Sequence, residues 1–261
     1  MLFKRPKNIT VGHVDKDIIL GIGDVKFTLK LIPKGCITID LSQEPDDVSY
    51  GCHKRVEKDV MIDDFYLSET VVTQSLWRAV FQKDEPEHHM WTRKRWNGDD
   101  YPAYDITWEE ITWFIHNISN IFCVKFRLPS KFEWRYAAIG GSQNLENESL
   151  NCIDDFAWHK DNSGMILQHV AQKRANGYGL YDMCGNVYEM CNNRLRTCFS
   201  VSILRDQTLS FKDARWACGG ACLSEAEMCH AESCIRVDIH SKGAIGFRLA
   251  LDKRSVNHLR C

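Results

Sequence analysis

The sequence predicts an α+β domain in which a few helices and a sheet support long loops. Segments with helical periodicity and capping residues concentrate between residues 73 and 139, whereas residues 140–215 hold loops and short apolar runs. Neither an internal repeat nor a low-complexity linker divides the 261 residues, which are enough for one large core. We therefore expect one domain over residues 1–261.

The first elements are strands. Residues 25–31 alternate between polar and apolar side chains, and a Pro-Lys-Gly turn separates them from a second predicted strand at residues 36–40. Residues 41–55 are polar and loop-like, and residues 60–67 predict a third strand.

Three helices follow, each with a capping residue. Thr73 is the predicted cap of a helix over residues 74–82. Thr107 with Glu110, and Ser130 with Glu133, form two capping boxes that predict further helix starts.

The remaining elements are shorter. The second capping box opens a helix over residues 132–138, which Gly140 ends, and a strand at residues 124–128 precedes it. The final predicted strand covers residues 245–251.

Several large side chains are expected to be structural. Arg127 and Arg248 follow or end predicted strands, so we expect them to donate hydrogen bonds to carbonyls or to Glu133. The tryptophans expected in the core are Trp77, Trp108, Trp113, Trp134 and Trp158.

Composition excludes some classes of function. The formal net charge is −2, with 44% hydrophobic and 26% charged residues, so nothing indicates a nucleic-acid or membrane-surface partner. No apolar run approaches the roughly 20 residues of a membrane helix. The basic residues 1–8 are not followed by the apolar segment of a signal peptide, so we expect a cytoplasmic protein.

Twelve cysteines are many for a cytosolic chain, yet no Cys-x-x-Cys pair occurs. The spacing between positions 184 and 234 fits no zinc-ribbon or zinc-finger pattern. Unmodified thiols in a reducing compartment are one interpretation. A disulfide or a metal cluster in the cysteine-rich tail is the other.

Residues 179–191, with the sequence GLYDMCGNVYEMC, predict a sharp bend because Gly179, Gly185 and Asn186 tolerate positive φ. Asp182 and Glu189 place a carboxylate on each side of this bend. Carboxylates and backbone carbonyls are the ligands that calcium prefers, so the stretch is a candidate cation site. The alternative is a solvated turn that enters a strand at Val187.

Ordered motifs along the chain resemble the formylglycine-generating enzyme, or sulfatase-modifying factor, family. The matching segments, from about residue 27 to residue 251, are ETVVTQSLW (69–77), YPAYDITW (101–108), FRLPSKFEWRYAA (126–138), the 179–191 stretch, GG (219–220) and GFRL (246–249). The resemblance implies a C-type-lectin-like fold with two main helices, a twisted antiparallel sheet and long loops. The core is then expected at about residues 27–251.

The resemblance also implies a structural calcium ion at the 179–191 stretch. In related proteins two side chains and two backbone carbonyls hold it. The matching positions are the side chains of Asp182 and Glu189 and the carbonyls of Gly185 and Val187. A second family calcium site follows Trp158, but its ligands have no clear match in the loop at residues 159–176.

The catalytic centre of the family is incomplete in this sequence. Active members resemble one another in two cysteines, five residues apart, that bind copper(I) while a substrate cysteine is oxidised to formylglycine. Ser224 stands at the first of these positions and Cys229 at the second. A hydroxyl is a poor ligand for copper(I). Tyr188 and Met190 also replace two tryptophans of the motif.

Three functions follow from this comparison. We expect a non-catalytic module that binds an unidentified protein or small ligand through the loops at residues 141–215 and 215–246. The alternative is a copper-dependent oxidase in which Cys222 and Cys229 supply the two thiolates. An iron-dependent sulfoxide-forming enzyme of the same superfamily ranks last, because no His-x-x-x-His pattern on a helix is visible.

Overall fold

The structure is a computed structural model that describes residues 8–40, 57–82, 96–141, 153–194 and 214–259. Its helices are α1 (Gln74–Phe81), α2 (Trp108–Phe122), α3 (Lys131–Ile139), α4 (Ile153–Phe156) and α5 (Lys160–Ser163). Short 3-10 helices span Ala226–Met228 and Lys253–His258.

The strands of the described residues form three sheets. In chain order they are β1 (Ile9–Val14), β2 (Asp17–Ile22), β3 (Val25–Ile32), β4 (Gly35–Asp40), β5 (Glu57–Ile62), β6 (Phe65–Ser68), β7 (Phe126–Arg127), β8 (Tyr188–Arg194), β9 (Ala214–Cys218), β10 (Cys234–Asp238), β11 (Ile245–Gly246) and β12 (Ala250–Asp252).

The largest sheet joins the two ends of the chain. It has the antiparallel order β1-β2-β3-β6-β12-β7. In this sheet β12 lies between two strands of the N-terminal half, with Ala250 opposite both Leu67 and Arg127. The C-terminal GFRL motif is therefore held beside residues 65–69, close to 180 positions earlier in the chain.

A four-stranded sheet, ordered β10-β9-β8-β11, carries the loops of the C-terminal half. Its first two pairings are antiparallel, and β11 runs parallel to β8. A separate antiparallel hairpin pairs β4 with β5. This α+β arrangement of few helices and mainly antiparallel sheets confirms the predicted fold class.

Helix caps follow the sequence prediction. The Thr73, Thr107 and Ser130 side chains each accept a backbone N–H of the first turn, and Glu110 and Glu133 complete the two capping boxes. Because a cap is a local hydrogen bond, its pattern is visible in the sequence. Gly140 ends α3 with φ of 68°, as predicted.

Strand boundaries differ more from the predictions. The β1–β2 hairpin was not predicted, and its turn places Asp15 at φ of 54° without a glycine. The expected strand at 60–67 is two strands, β5 and β6, and the expected strand at 245–251 is likewise divided into β11 and β12. Short breaks in a strand leave the hydrophobic pattern almost unchanged, so the sequence does not reveal them.

Aromatic rings fill the main core between α1, α2 and the large sheet. The ring of Trp77 stacks on that of Phe114, with centroids 5.1 Å apart. A second buried cluster surrounds Trp134 and Trp216. The expectation that Trp113 lies in the core is wrong: it is 43% exposed, because it lies off the buried face of α2, and its ring contacts that of Phe81 with centroids 4.6 Å apart.

Membrane insertion has no support in the helices of the described ranges. None of them combines the length and apolar character that a membrane crossing requires.

Candidate functional site

The predicted bend at residues 179–191 is present. Gly179, Asp182, Gly185 and Asn186 all have positive φ, between 54° and 78°. A Cβ atom at Gly185 would lie 2.3 Å from the carbonyl oxygen of Trp158, so the residue-158 backbone approaches closer than any side chain permits. The bend therefore requires glycine at residue 185, and it leads directly into β8 at Tyr188.

Glu189 is the buried centre of this region. Its carboxylate accepts two hydrogen bonds from Arg248 Nε, each 2.9 Å long, and one of 2.7 Å from Trp134 Nε1. Burial raises the pKa of Glu189, and the Arg248 charge and the Trp134 hydrogen bond oppose that rise. The bend at residues 179–191, helix α3 and the GFRL motif thus meet at the carboxylate of Glu189.

Arg248 uses the rest of its guanidinium on backbone carbonyls. Nη1 donates to the carbonyl oxygens of Ser68 and Glu69 at 3.0 and 2.8 Å, and Nη2 donates to that of Tyr181. These bonds confirm the expected structural role of Arg248. Arg127 likewise binds Glu133 and Asp252, as expected for the first of these pairings.

Asp182 is also buried, but its carboxylate is only half satisfied. Oδ2 accepts the Ala171 N–H at 2.7 Å, whereas Oδ1 has no hydrogen-bond partner among the described residues. Burial raises the pKa of Asp182, opposed by the Ala171 hydrogen bond and by the charges of Arg248 and Lys173. With both carboxylates ionised, Asp182 and Glu189 carry one negative charge more than Arg248 balances, and the half-buried Lys173 is the other cation that acts on Asp182.

This excess charge bears on the implied calcium ion. Asp182 Oδ1 is an open oxygen of the type that calcium binds, while Glu189 already shares its oxygens with Arg248 and Trp134. In the part of the chain that the structure describes, no group of three His, Cys, Asp or Glu side chains is arranged to hold a metal. A calcium site here therefore needs backbone carbonyls, as the resemblance implies for Gly185 and Val187.

The loop between β9 and β10 contains the positions that match the catalytic cysteines. The Ser224 hydroxyl accepts the Ala221 N–H at 3.0 Å and donates to the Tyr188 hydroxyl at 3.2 Å. The Cys229 thiol contacts the carbonyl oxygen of the same residue, Ala221, at 3.8 Å. Ser224 and Cys229 are thus both held by Ala221.

Both candidate thiols are buried. Cys222 packs in the main core, and Cys229 has no exposed surface. Burial raises the pKa of Cys222 to about 11 and that of Cys229 to about 12. At neutral pH both groups are therefore thiols, whereas copper(I) binds thiolates.

Three exposed apolar side chains lie in this loop or in the segment hydrogen-bonded to it, and the sequence pattern did not indicate them. We call Met165, Leu223 and Met228 the apolar patch. Met165 and Leu223 are 61% and 59% exposed. Hydrogen bonds from Lys160 N to the Ser224 carbonyl and from Ser163 Oγ to the Cys222 carbonyl, both 3.0 Å, bring the two segments together. Exposed methionine is typical of adaptable binding surfaces.

Some predicted features lie outside the described residues, and one interaction in the loop after Trp158 was not predicted. Parts of the expected recognition loops, residues 142–152 and 195–213, are outside the described residues. In the loop after Trp158, His159 is buried and its Nε2 lies 2.6 Å from Asp154 Oδ1. Sequence inspection missed this pair because His159 also caps α5, and neither role has a distinctive local pattern.

The sheet order and the buried turn around Glu189 define a C-type-lectin-like fold of the formylglycine-generating type. The chain belongs to the family described as "Sulfatase-modifying factor enzyme 1-like domain", whose model matches residues 23–253.

Solved structures share this fold. Treponema denticola variable protein 1 superposes with a TM-score of 0.69 at 22% identity, covering 92% of this chain and all of that one. PvdO from Pseudomonas aeruginosa gives 0.64 at 17% identity, covering 95% of this chain and 99% of that one. Similarity at this identity establishes the fold alone.

Curated relatives match over shorter stretches. Chaperone protein LppX of Paenibacillus barcinonensis is 26% identical over 52% of this chain and 64% of its own length. The serine/threonine-protein kinase pkn1 of Chlamydia caviae is 32% identical over 36% of this chain and 14% of its own length. The chain thus spans less than two thirds of either relative.

Proposed function

We propose that this protein is a divergent, non-catalytic member of the family that binds a protein or small ligand through its C-terminal loops. The observation that carries the proposal is the hydrogen-bonded position of Ser224. A serine hydroxyl held by Ala221 and Tyr188 replaces the thiolate that an active member would use to bind copper(I).

The second thiol position supports the same conclusion. Cys229 is buried, and its pKa of about 12 keeps it protonated near neutral pH. Copper(I) would have to displace that proton and would gain one thiolate instead of two. A lone thiolate with a hydroxyl neighbour suits this soft ion poorly.

The apolar patch favours binding of a protein. Leu223 and Met228 in the 219–233 loop and Met165 next to it remain exposed, and the loop backbone is fixed by hydrogen bonds to α5 and to Asn186. Such a surface on a rigid scaffold suits apolar side chains of a partner. The relative LppX is named a chaperone protein, which is consistent with a protein ligand.

A copper(I) titration tests the proposal. Wild type is expected to bind copper(I) weakly, and Ser224→Cys is expected to bind it more tightly because it supplies the second thiol five residues before Cys229. Cys229→Ser is the matched control. Stoichiometric, tight binding by wild type that Cys229→Ser abolishes would contradict the proposal.

The second candidate is a copper-dependent oxidase that uses Cys222 with Cys229. Its support is that both thiols belong to the loop between β9 and β10. Cys222 packs in the main core, so this function requires the loop to change its register. Loss of copper(I) binding in Cys222→Ser, with Ser224→Ala unchanged, would favour it.

We also propose a structural calcium ion at Asp182, Gly185, Val187 and Glu189. Among the described residues Asp182 Oδ1 is buried without a hydrogen-bond partner, and the ion would compensate the excess negative charge of the site. A bound calcium ion would connect Asp182 and Gly185 of the bend to Glu189 of strand β8. Its binding is expected to raise the melting midpoint relative to chelator, and an unchanged midpoint would contradict the proposal.

A further inference from the structure

Two cysteines mark the ends of the loop that carries Ser224 and Cys229. Strand β9 ends at Cys218, β10 begins at Cys234, and the two residues are direct partners across the antiparallel ladder. Residues 219–233, fifteen in all, form the loop between them. A bond between these two sulfur atoms would therefore close this loop at its stem.

The geometry at the stem suits a disulfide. The next pair along the ladder is joined by a hydrogen bond of 2.8 Å from Gly219 N to the Ser233 carbonyl. Hydrogen-bonded and non-hydrogen-bonded pairs alternate, so Cys218 and Cys234 form a pair of the second kind, with Cα atoms about 4.5 Å apart. Disulfides span Cα distances of about 4.4–6.8 Å. The two side chains also project from the same face of the sheet, since they are directly opposite.

A third thiol contacts Cys218 from the other neighbouring strand. Cys191 of β8 has its sulfur 4.0 Å from that of Cys218. Cys191 follows the pair formed by Met190 and Ala217, so it is a diagonal neighbour of Cys218 across the ladder. The Cα atoms of diagonal neighbours are about 7–8 Å apart. That separation exceeds the range of an unstrained disulfide, so Cys234 is the better partner for Cys218.

Access favours a reaction that begins at Cys234, and a nearby positive charge favours the thiolate of the buried partner. Cys191 and Cys218 are fully buried, whereas Cys234 is half-buried. The ammonium group of Lys131, 3.9 Å above the ring of Trp216, is near the two buried thiols. Burial raises the pKa of Cys218, and the Lys131 charge opposes this rise.

We propose that Cys218 and Cys234 form a reversible disulfide that closes the 219–233 loop. The Cys234 thiolate attacks a small disulfide such as oxidised glutathione, which releases one glutathione thiolate and leaves a mixed disulfide. The Cys218 thiolate then attacks the Cys234 sulfur and expels the second glutathione. The two protein thiols lose two electrons and two protons, and the oxidant takes up both as two thiols.

The disulfide would act on the loop rather than on the sheet. The two ends of the loop are already paired in the sheet, so the disulfide restrains mainly the unfolded chain and the opening of residues 219–233. Pre-organised loops lose less conformational freedom on binding. The consequence for ligand binding rests on the proposed function, whereas formation of the disulfide does not.

The test is equilibration of the full chain in glutathione buffers of increasing oxidised fraction. Remaining thiols are then alkylated and the peptides mapped by mass spectrometry without reduction. We expect a crosslinked peptide pair that contains positions 218 and 234, which reductant reverses. The oxidised protein should melt about 6–12 °C higher than the reduced protein, the value for a closed loop of this length in a chain of this size.

Two variants separate this disulfide from its alternatives. Cys234→Ser is expected to lose both the crosslink and the shift in midpoint, and Cys191→Ser to retain both. Cys234→Ala and Cys191→Ala repeat the comparison if a buried hydroxyl weakens folding. A crosslink between positions 191 and 218 in wild type would overturn the proposal. Wild type that carries only mixed disulfides with glutathione would overturn it as well.

Discussion

Ser224 donates a hydrogen bond to the hydroxyl of Tyr188 at 3.2 Å. Both residues depart from the pattern of active family members, and the departures are in contact with each other across the β8 strand and the 219–233 loop. The Tyr188 hydroxyl provides the acceptor that the Ser224 hydroxyl needs in a half-buried site. The two changes therefore form one polar interaction in place of a thiolate beside an indole.

The buried pair of Arg248 and Glu189 leads to a first prediction. Arg248→Met should destabilise the protein by about 3–5 kcal/mol, because it leaves buried carboxylates without their cation. Glu189→Gln should cost less, because the remaining charges of Arg248 and Asp182 still balance. Urea denaturation of both variants measures the difference. Equal losses, or a larger loss in Glu189→Gln, would show that Asp182 does not contribute a charge to this site.

The raised pKa of Asp182 predicts a pH dependence of stability. The group has a pKa of 3.8 in its unperturbed form and a higher one when buried in the fold. Between the two values the folded state binds more protons than the unfolded state, so the free energy of unfolding falls as pH rises through this window. Glu189 contributes in the same direction.

Asp182→Asn isolates the contribution of residue 182. In chelator, this variant should show a weaker decline of stability with pH than wild type. In calcium, wild type should gain stability at neutral pH and Asp182→Asn should not. A pH profile of Asp182→Asn that coincides with that of wild type in chelator would contradict the assignment of the excess charge to Asp182.

Gly185 allows a comparison with Gly164. Both have positive φ, of 78° and 66°, but a Cβ atom would lie 2.3 Å from the Trp158 carbonyl oxygen at Gly185 and would meet nothing within 4 Å at Gly164. Gly164→Ala should therefore cost only the conformational penalty of about 1–2 kcal/mol. Gly185→Ala should cost more, because the 158 backbone must also move. Equal midpoints in urea for the two variants would refute the close approach.

The apolar patch should contribute little to folding. Leu223→Asp and Met165→Asp are expected to change the free energy of unfolding by no more than about 0.5 kcal/mol, as for other exposed positions. Both should lower the fluorescence of an apolar dye bound to the native protein. Leu180→Asp, at a buried position, is the control and should unfold the protein. A large loss of stability in Leu223→Asp would mean that the patch belongs to the core.

Local and long-range features differed in how well the sequence predicted them. The caps at Thr73, Thr107 and Ser130 depend on neighbours within three residues, so their patterns were sufficient. The contact of Arg248 with Glu189 joins positions 59 residues apart, and its motifs indicated that each residue mattered without indicating the partner. The pairing of Cys218 with Cys234 depends on strand register, which cysteine spacing does not determine.

The exposure of Trp113 has a similar explanation. Its neighbours Ile111, Phe114 and Ile118 follow helical spacing and are buried, but Trp113 lies one position away from that stripe. Side-chain size suggested burial, whereas the helix phase placed it outside. Periodicity was the better guide to this residue.

The most direct test of the central claim is an oxidation assay on a peptide with the Cys-x-Pro-x-Arg pattern. The protein is incubated with copper(I), oxygen and the peptide, and the peptide mass is followed by mass spectrometry. We predict that wild type leaves the peptide thiol unchanged, as does Cys229→Ser. Conversion of the peptide cysteine to formylglycine by wild type, and its loss in Cys229→Ser, would contradict the assignment of a non-catalytic binding module.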